Sequence, residues 1–354
     1  KSINFFLNRY FCIPLLNMKI LLTGGAGFIG SHTAVELVNE GYEPIIIDDF
    51  RNSKSFIIEN IEKIIGRKVV FHCTDIGDQE KISSIIKQEK PVGIIHFAAD
   101  KAVNESVKNP LKYYHNNIVN LIKLLSVIDK HNIDSFIFSS SCTVYGSPSF
   151  IPVNEKTPIQ PAFSPYGYTK QVGEKILTDF FKTKQQTSLT MLRYFNPIGA
   201  HPSSLIGELP LGVPSNLVPY ITQTAIGKRK ELTIFGNDYN TADGTCIRDY
   251  IHVVDLARAH VLSLKNKHSY NNIYNVGVGN GKSVLEVVHS FEEINNLKVN
   301  YQFGERRDGD VPEIYADNHL IKTELKWEPI FSLKEALHHA WAWERELKSK
   351  YKIG

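Results

Sequence analysis

The segment Lys19-Ile20-Leu21-Leu22-Thr23-Gly24-Gly25-Ala26-Gly27-Phe28-Ile29-Gly30 predicts a strand, a tight turn and the approach to a helix over Ser31 to Glu40. Gly24, Gly27 and Gly30 have the G-x-x-G-x-x-G spacing, a variant of the dinucleotide-binding fingerprint. Glycine is needed there because the backbone must turn sharply, approach a pyrophosphate closely and pack a helix against a strand. The helix N-terminus then offers its free N–H groups to the phosphates.

The next predicted strand ends in two acids. Pro44-Ile45-Ile46-Ile47 leads directly into Asp48-Asp49, roughly where an acid meets the ribose hydroxyls of a bound dinucleotide. A carboxylate at this place repels a 2′-phosphate, so the pattern favours NAD over NADP. Because strand, glycine turn, helix and acidic strand end agree, a purely structural turn is the weaker interpretation.

Strand and helix patterns continue to alternate through the first half of the chain. Four further strands are predicted at 69–72, 93–99, 135–138 and 189–193, and a long helix at 113–130. Repeated strand–helix units predict an α/β fold of Rossmann type, a doubly wound parallel sheet with helices on both faces. Right-handed crossovers then bring the loops after the strands to one carboxyl edge, where ligands bind. Asp75 and Ile76 follow the third strand, where an adenine could lie.

Ser164-Pro165-Tyr166-Gly167-Tyr168-Thr169-Lys170 predicts a helix start, because serine suits the N-cap and proline the first helical position. Tyr166 and Lys170 then lie on one face, about one turn apart. An ammonium near a phenol lowers the phenol's pKa, which suits acid–base chemistry. Taken alone, Y-x-x-x-K is more often an amphipathic helix with a solvated lysine. Ser141 and Phe195-Asn196 end two of the predicted strands, so these side chains can converge at the carboxyl edge.

The composition argues against several classes of function. The 354 residues carry 40 lysines and arginines against 37 acids, and this net charge of +3 gives no strong field for nucleic acid or an anionic membrane. No segment reaches the ~20 apolar residues of a membrane span. No H-E-x-x-H motif occurs, and we expect no metal. A reduced, cytoplasmic protein without a disulfide framework is predicted by four widely spaced cysteines, Cys12, Cys73, Cys142 and Cys246.

The pattern changes after about Pro197, where proline and glycine become frequent and the predicted strands shorten. We expect three parts: a dispensable extension, 1–17; an NAD-binding Rossmann domain, 18–196; and a smaller α/β substrate lobe, 197–354, with one segment returning to the first domain. Helices are predicted in this lobe at 217–226, 254–264, 283–294 and 333–347. Gly277 to Ser283 looks like a phosphate loop but lacks its glycine spacing, and it predicts a strand–helix turn.

Seven motifs go beyond general physics, and together they span Met18 to about Trp343. They are T-G-G-A-G-F-I-G-S-H-T, H-F-A-A-D-K-A-V-N-E-S, F-S-S-S-C-T-V-Y-G, S-P-Y-G-Y-T-K, L-R-Y-F-N-P-I-G-A-H-P, F-G-N-D-Y and R-D-Y-I-H-V-V-D-L-A. Their order and spacing resemble the UDP-glucose 4-epimerase family of extended short-chain dehydrogenases/reductases. The resemblance implies reversible C4 epimerisation of UDP-glucose and UDP-galactose in galactose metabolism, by transient hydride transfer to tightly bound NAD through a 4-keto sugar. It also implies a homodimer through helices near 113–130 and 166–182.

The resemblance implies site residues position by position. Tyr166 is the catalytic base and acid, Lys170 is its partner and Ser141 is the third member. The implied NAD contacts are Gly24, Gly27, Phe28, Ile29, Gly30, Asp48, Asp49, Phe50, Asn52, Ser53, Asp75, Ile76, Phe97, Ala98, Ala99, Lys101, Asn116, Ser141, Tyr166, Lys170 and Phe195. The implied UDP-sugar contacts are Lys101, Ser141, Thr143, Tyr166, Asn196, Asn216, Leu217, Ile234, Phe235, Arg248, Arg307 and Asp310. The residue types agree, since arginines suit a diphosphate through charge-assisted hydrogen bonds.

Departures from the family pattern leave alternatives open. Cys142 replaces a frequent alanine, Asp49 replaces a common asparagine, and Ile314 stands where relatives carry a large aromatic or a small residue. The position of Ile314 is associated with N-acetylated sugars, so a UDP-N-acetylglucosamine 4-epimerase is one alternative. A nucleotide-sugar 4,6-dehydratase is another, but Cys142 and Thr143 stand where its acidic pair is usual. The non-enzymatic alternative is an NAD-binding redox sensor, which the intact catalytic set disfavours.

Overall fold

A computed structural model of the chain describes residues 18–184, 186–265, 271–307 and 310–351. The expected extension, 1–17, lies outside these residues. The strands are β1 Lys19–Thr23, β2 Glu43–Asp48, β3 Val70–Cys73, β4 Gly93–His96, β5 Ser135–Ser141, β6 Ser188–Tyr194, β7 Asn196–Ile198, β8 Leu232–Phe235, β9 Ile247–His252, β10 Asn272–Val276, β11 Gly281–Ser283, β12 Tyr301–Gly304 and β13 Glu313–Ile314.

The α-helices alternate with the strands through most of the chain. They are α1 Phe28–Asn39, α2 Phe56–Ile65, α3 Gln79–Glu89, α4 Val103–Lys108, α5 Pro110–Tyr114, α6 Asn120–Ile128, α7 Pro165–Lys182, α8 Leu217–Ala225, α9 Val253–Ser263, α10 Val284–Asn295, α11 His319–Leu325 and α12 Leu333–Lys350. A π-helical turn covers His115–Val119 and a 3₁₀ turn covers Cys142–Tyr145. Among the residues described, no helix combines the length and the apolar character needed to cross a membrane.

The main sheet has seven parallel strands in the order β10-β6-β5-β4-β1-β2-β3. The central strand β1 pairs with β2 on one side and β4 on the other, so Leu21 lies between Ile45 and Ile94. The chain continues from β1 to β2 and β3 on one side of β1, and then crosses to β4 on the other side. This reversal of strand order opens a crevice at the carboxyl end of β1. The predicted α/β fold of Rossmann type is confirmed.

Two buried clusters cover the two faces of this sheet. Ile20 and Leu22 pack into one cluster and Leu21 into the other, because successive strand residues point to opposite faces. Burial of each such side chain stabilises the fold by about 1.5–3 kcal/mol. The sheet is therefore a firmly packed platform for the loops at its edge.

The second half of the chain contributes to two cores. β10 pairs with β6 in the main sheet, and Leu256 of α9 packs in the same cluster as Ala34 of α1. A separate cluster joins α8, β8, β9, α10 and α12 around side chains such as Ile221 and Phe291. β9 is the centre of the four-stranded sheet, where it pairs with β7, β11 and β13. The proposed boundary between residues 196 and 197 stays a prediction.

Several predicted boundaries are wrong in detail. The first helix begins at Phe28 rather than Ser31, because Gly27 is its N-cap residue. The long helix predicted at 113–130 begins at Pro110, ends at Ile128 and contains the π turn. That turn carries Asn117, whose side chain accepts the Asp100 N–H at 2.8 Å and donates to the Asp100 carbonyl at 2.9 Å. These buried bonds favour the wider turn, and periodicity alone does not reveal them.

The helices predicted in the second half lie within a few residues of α8, α9, α10 and α12. The segment Gly277 to Ser283 is a turn between β10 and α10, as predicted, although it also contains the short strand β11. Ser283 caps α10 and forms a capping box with Glu286. A serine–glutamate pair used in this way satisfies helix N–H groups rather than a phosphate.

Candidate active site

The glycine loop lies against the end of β4. Gly24 has φ +70°, and a Cβ there would stand 2.8 Å from the backbone nitrogen of Ala98. A Cβ on Gly30 would stand 2.4 Å from the carbonyl oxygen of Gly24. Both obstacles are backbone atoms, so larger residues would push the loop away from the crevice. The first turn of α1 holds no acidic residue and Gly27 gives no side-chain cap, which leaves its N–H groups available to a pyrophosphate.

Asp48 fixes the loop that follows β2. Its carboxylate accepts the Ala26 N–H at 3.0 Å, the Phe50 N–H at 2.9 Å and the Ser53 hydroxyl at 2.9 Å. Burial raises the pKa of Asp48, and these bonds act in the opposite direction. The sequence placed Asp48 against a ribose, and the structure adds that it holds the glycine loop and its own loop together. Asn52 also lies in this loop and donates to Asp100 at 3.3 Å.

The catalytic candidates meet where α7 passes the end of β5. Ser164 caps α7 by accepting the Gly167 N–H at 3.1 Å, and Pro165 is the first helical residue, as predicted. The Lys170 ammonium donates to the carbonyl of Ser139 at 2.6 Å and lies 5.9 Å from the centre of the Tyr166 ring. The shared face predicted for tyrosine and lysine is therefore present.

Ser141 completes the set from the end of β5. Its hydroxyl oxygen accepts the Thr143 N–H at 3.2 Å and the Thr143 hydroxyl at 3.0 Å. A hydrogen bond with Ser141 also acts on the Tyr166 phenol, where it lowers the pKa. The Ser141 hydroxyl can thus polarise the Tyr166 phenol through this hydrogen bond, and Thr143 holds the serine in place.

The expected lowering of the Tyr166 pKa is wrong for this structure. Burial raises the pKa of Tyr166 to about 12, and the bond with Ser141 offsets only part of this. Burial also lowers the pKa of Lys170 to about 8, against an opposite effect from Glu174. Desolvation is the largest effect on both groups, since Lys170 is buried and Tyr166 is partly buried. Periodicity gave their spacing but carried no information on burial.

A buried ion pair that the sequence analysis missed lies beneath these residues. Glu174 of α7 accepts from Arg193 of β6 through both oxygens, at 2.9 and 2.6 Å. Glu174 also accepts the Ser140 hydroxyl at 2.5 Å, while Arg193 donates to the Tyr145 hydroxyl at 3.2 Å. This pair fixes the rotation of α7 against β5 and β6. A signal was present, because Glu174 lies one turn beyond Lys170 on the same helix face.

The remaining NAD candidates surround the crevice in different ways. Asp75 accepts the Gly77 N–H at 2.6 Å, and Asn116 lies on the π turn. Ile76 and Phe195 are buried in hydrophobic clusters, so they would contact NAD mainly through their backbone atoms. Phe28, Ile29, Phe97, Ala98 and Ala99 are half-buried. Arg51 bridges Asp49, Asp75 and Asn116.

The UDP candidates of the second half form a charged cluster beside an exposed ring. Asp310 pairs with Arg248 at 3.5 Å and with Arg307 at 3.0 Å. The Arg307 guanidinium lies 4.8 Å from the centre of the Phe235 ring, which is 40% exposed. Ile234 is buried in the core, so it would contact a ligand through its backbone, and Leu217 packs against the same cluster.

Glu208, a second residue that the sequence analysis missed, links two candidates. One of its carboxylate oxygens accepts from Lys101 at 2.9 Å and from Asn216 at 2.6 Å. Lys101 also lies 5.9 Å from the Phe28 ring centre, beside the glycine loop. Asn196 belongs to β7 and pairs with Tyr250 of β9. These contacts bring the loop after β4 and the long loop after β7 to the same crevice.

Known proteins share both the sequence and this fold. A family model described as GDP-mannose 4,6 dehydratase matches residues 21–340. The UDP-glucose 4-epimerase of Dictyostelium discoideum is 47% identical, over 92% of this chain and 95% of its own length. That of Bacillus subtilis is 45% identical, over 95% of this chain and 99% of its own length.

Solved structures agree. The UDP-glucose-4-epimerase of Stenotrophomonas maltophila, crystallised with bound NAD and formylated UDP-arabinopyranose, has a TM-score of 0.91 at 43% identity, covering 94% of this chain and 99% of that chain. The enzyme of Bifidobacterium longum, in complex with NAD⁺ and UDP, has a TM-score of 0.90 at 41% identity, covering 93% and 98%. Within the wider group that the matching family model describes, this chain belongs to the UDP-glucose 4-epimerase family.

Proposed function

We propose that this protein interconverts UDP-glucose and UDP-galactose by inverting C4 of the sugar, with tightly bound NAD as its cofactor. The observation that carries the proposal is the grouping of Ser141, Tyr166 and Lys170 at the carboxyl edge of the sheet, next to the glycine loop. The glycine loop and the open N-terminus of α1 fit a pyrophosphate. When bound, NAD supplies a hydride acceptor at C4 of its nicotinamide and returns the same hydride.

The side chains of this protein move the proton and hold the substrate. Tyr166 in its phenolate form takes the proton of the sugar 4-hydroxyl while C4 is oxidised, and it returns a proton when the 4-keto sugar is reduced from the other face. The pKa of about 12 describes the chain alone, and the positive charge of bound NAD⁺ would lower it. General base and acid help of this kind contributes roughly 10²–10⁴-fold. Ser141 polarises the phenol through its hydrogen bond. Lys170, with a pKa of about 8, supplies positive charge beside the phenol below that pH.

Inversion needs a firm hold on the nucleotide and a loose hold on the sugar. Arg248, Arg307 and Asp310 form the charged cluster that suits a diphosphate and ribose. The exposed Phe235 ring can pack against a flat base. We assign no comparable anchor to the hexose, which leaves it free to turn over. The other proposed NAD and UDP-sugar contacts keep the roles that the resemblance implies.

A 4,6-dehydratase would need an acid/base pair after β5 to eliminate water. Cys142 and Thr143 stand there, and burial raises the pKa of the Cys142 thiol to about 12. That thiol stays protonated near neutral pH and is not a base. The geometry therefore supports epimerisation over elimination.

The sugar range is the finer part of the proposal. Ile314 of β13 pairs with Arg248 of β9 and is buried in the cluster that includes Tyr145 and Phe195. Its intermediate size leaves the N-acetylated pair as a second substrate to be tested beside UDP-galactose.

We also propose a homodimer and a cytoplasmic location. Large apolar side chains are exposed along α4, α5, the π turn, α6 and α7, namely Val103, Val107, Leu111, Val119, Ile122 and Tyr168. A second copy of the chain would bury them. Light scattering of the protein and of a Leu111→Glu, Ile122→Glu variant tests this. The variant should be a monomer, with half the molar mass of the dimer.

In the described chain Cys73, Cys142 and Cys246 are free thiols, which suits a reducing compartment such as the cytoplasm.

The deciding experiment incubates purified protein with UDP-galactose and, separately, UDP-N-acetylgalactosamine, with no added cofactor. NMR should show the corresponding gluco product, while Tyr166→Phe should keep NAD and lose roughly 10²-fold or more of the turnover. A 6-deoxy-4-keto product would establish a dehydratase instead. Binding of NAD without any binding of UDP-sugar, measured by titration calorimetry, would favour the redox sensor. Near-normal turnover by Tyr166→Phe would refute the catalytic assignment.

A further inference from the structure

Arg51 ties together three segments at the adenosine end of the crevice. Its guanidinium donates to Asp49 through Nε at 2.6 Å and to the Asn116 side chain at 2.9 Å, and it forms an ion pair with Asp75. These partners come from the loop after β2, the π turn and the loop after β3. One planar group therefore bridges elements that are far apart in sequence.

The loop that carries Arg51 is held in place. Phe50, just before it, has φ +59°, a left-handed conformation that a non-glycine residue seldom adopts. The Asp48 carboxylate holds this conformation by accepting the Phe50 N–H at 2.9 Å. The Phe50 ring packs 5.1 Å from the Phe71 ring, centre to centre. Arg51 is consequently directed outward across the strand ends.

All three partners of Arg51 belong to the set proposed to contact NAD. Asp49 lies near the proposed ribose position and Asp75 near the proposed adenine position, and Asn116 is a further proposed NAD contact. A guanidinium oriented by two carboxylates presents a flat, weakly hydrated face that suits an aromatic base. Leaving the crevice would require the adenosine to pass this bridge.

We propose that Arg51 is a retention residue, which closes the adenosine end of the crevice and slows the release of NAD. The inference rests on the proposed function, because it assumes that NAD binds there. The carboxylates of Asp49 and Asp75 already pair with the Arg51 guanidinium, so a 2′-phosphate would have to displace them. Arg51 therefore strengthens retention of NAD without favouring NADP.

The bridge also neutralises an acidic neighbourhood. Asp48, Asp49, Asp75 and Asp100 lie at this end of the sheet, and burial raises the pKa of Asp100, a rise that the charge of Arg51 helps to oppose. The Arg51 side chain is 43% exposed and that of Asp75 is 37% exposed. Ion pairs this exposed are screened by salt, which gives retention a measurable signature.

The test measures NAD release from purified protein loaded with radiolabelled NAD, after dilution into excess unlabelled NAD. Arg51→Met should release NAD about tenfold faster. Arg51→Lys should recover only part of the loss, because an ammonium cannot span three partners. Asp75→Asn, which breaks the bridge while keeping Arg51, should also speed release. Arg67→Met removes another exposed arginine, paired with Glu43 at 3.7 Å, and should leave release unchanged.

The salt dependence of NAD release distinguishes retention by Arg51 from a general structural role of this residue. Release from the parent protein should accelerate between about 0.05 and 0.5 M salt, and release from Arg51→Met should not. Release from Arg51→Met within twofold of the parent, or an unchanged salt response, would overturn the inference. In that case the parent protein would still bind NAD and epimerise, whereas a parent that binds no NAD would instead refute the proposed function.

Discussion

The ion pair beneath α7 gives a quantitative prediction for Glu174→Gln. Glu174 and Arg193 are both nearly inaccessible to water, with side-chain exposures of 7% and 3%. Removing one partner of such a pair costs about 3–5 kcal/mol, because the remaining charge stays buried without compensation. Glutamine keeps the shape and one acceptor, so we expect the lower end, about 3 kcal/mol. For a chain of 354 residues the conversion is about 1.3 °C per kcal/mol, so the melting temperature should fall by about 4 °C.

The same helix offers a matched control. Asp179 pairs with Lys175 at 2.6 Å one turn further along α7, but both side chains are more than half exposed. Asp179→Asn removes the same charge and should cost at most about 0.5 kcal/mol. Calorimetric melting of the two variants with NAD bound measures the difference. Equal shifts, or a Glu174→Gln shift of under about 2 °C, would refute the assigned role of the buried pair.

Glu174→Gln should also change the pH dependence of turnover. The pKa of Lys170 is about 8 because burial lowers it, and the negative charge of Glu174 raises it. Without that charge the pKa of Lys170 falls further, so the lysine loses its proton at a lower pH. The alkaline limb of the pH–rate profile with UDP-galactose should therefore move to lower pH. A limb that stays in place, or moves upward, would mean that Lys170 does not set it.

Three further predictions concern other parts of the molecule. Gly30→Ala should lose about 10²-fold or more of the NAD affinity in titration calorimetry, since its Cβ would meet a backbone carbonyl at 2.4 Å. Unchanged affinity would show that the loop can relax. Asp249→Asn should lower stability by about 1–3 kcal/mol, because the buried carboxylate accepts three backbone N–H groups at 2.8, 3.0 and 3.1 Å. Urea unfolding measures this loss, and a change below about 0.5 kcal/mol would contradict it. Burial lowers the pKa of His96 and His252 to about 3, while the unfolded chain takes up these protons near pH 6.5. Stability should therefore fall as the pH drops from about 6.5 towards 3, and a melting temperature that is constant from pH 7 to 5 would contradict this.

Local signals in the sequence predicted the framework of the site. The glycine spacing after β1 and the serine–proline start of α7 each determine the conformation of a few neighbouring residues. They could therefore be recognised in the sequence without knowledge of the fold. The predicted shared face of Tyr166 and Lys170 followed from helix geometry alone. These features position the chemistry, and the structure contains all of them.

Features that depend on distant pairing or burial could not be predicted. Arg51 meets Asn116 across 65 residues, and Glu208 meets Lys101 across 107 residues. Single-sequence periodicity carries no information about such partners. The raised pKa of Tyr166 has the same origin, because burial depends on every element packed around α7.

The central claim is that the hydrogen at C4 of the sugar leaves and returns as a hydride within one active site. UDP-galactose deuterated at C4, incubated with the purified protein in ordinary water without added cofactor, tests this claim directly. We expect UDP-glucose that keeps its deuterium at C4, with no 6-deoxy product, when the product is analysed by NMR. Replacement of the deuterium by hydrogen from water would contradict transfer of this hydrogen as a hydride.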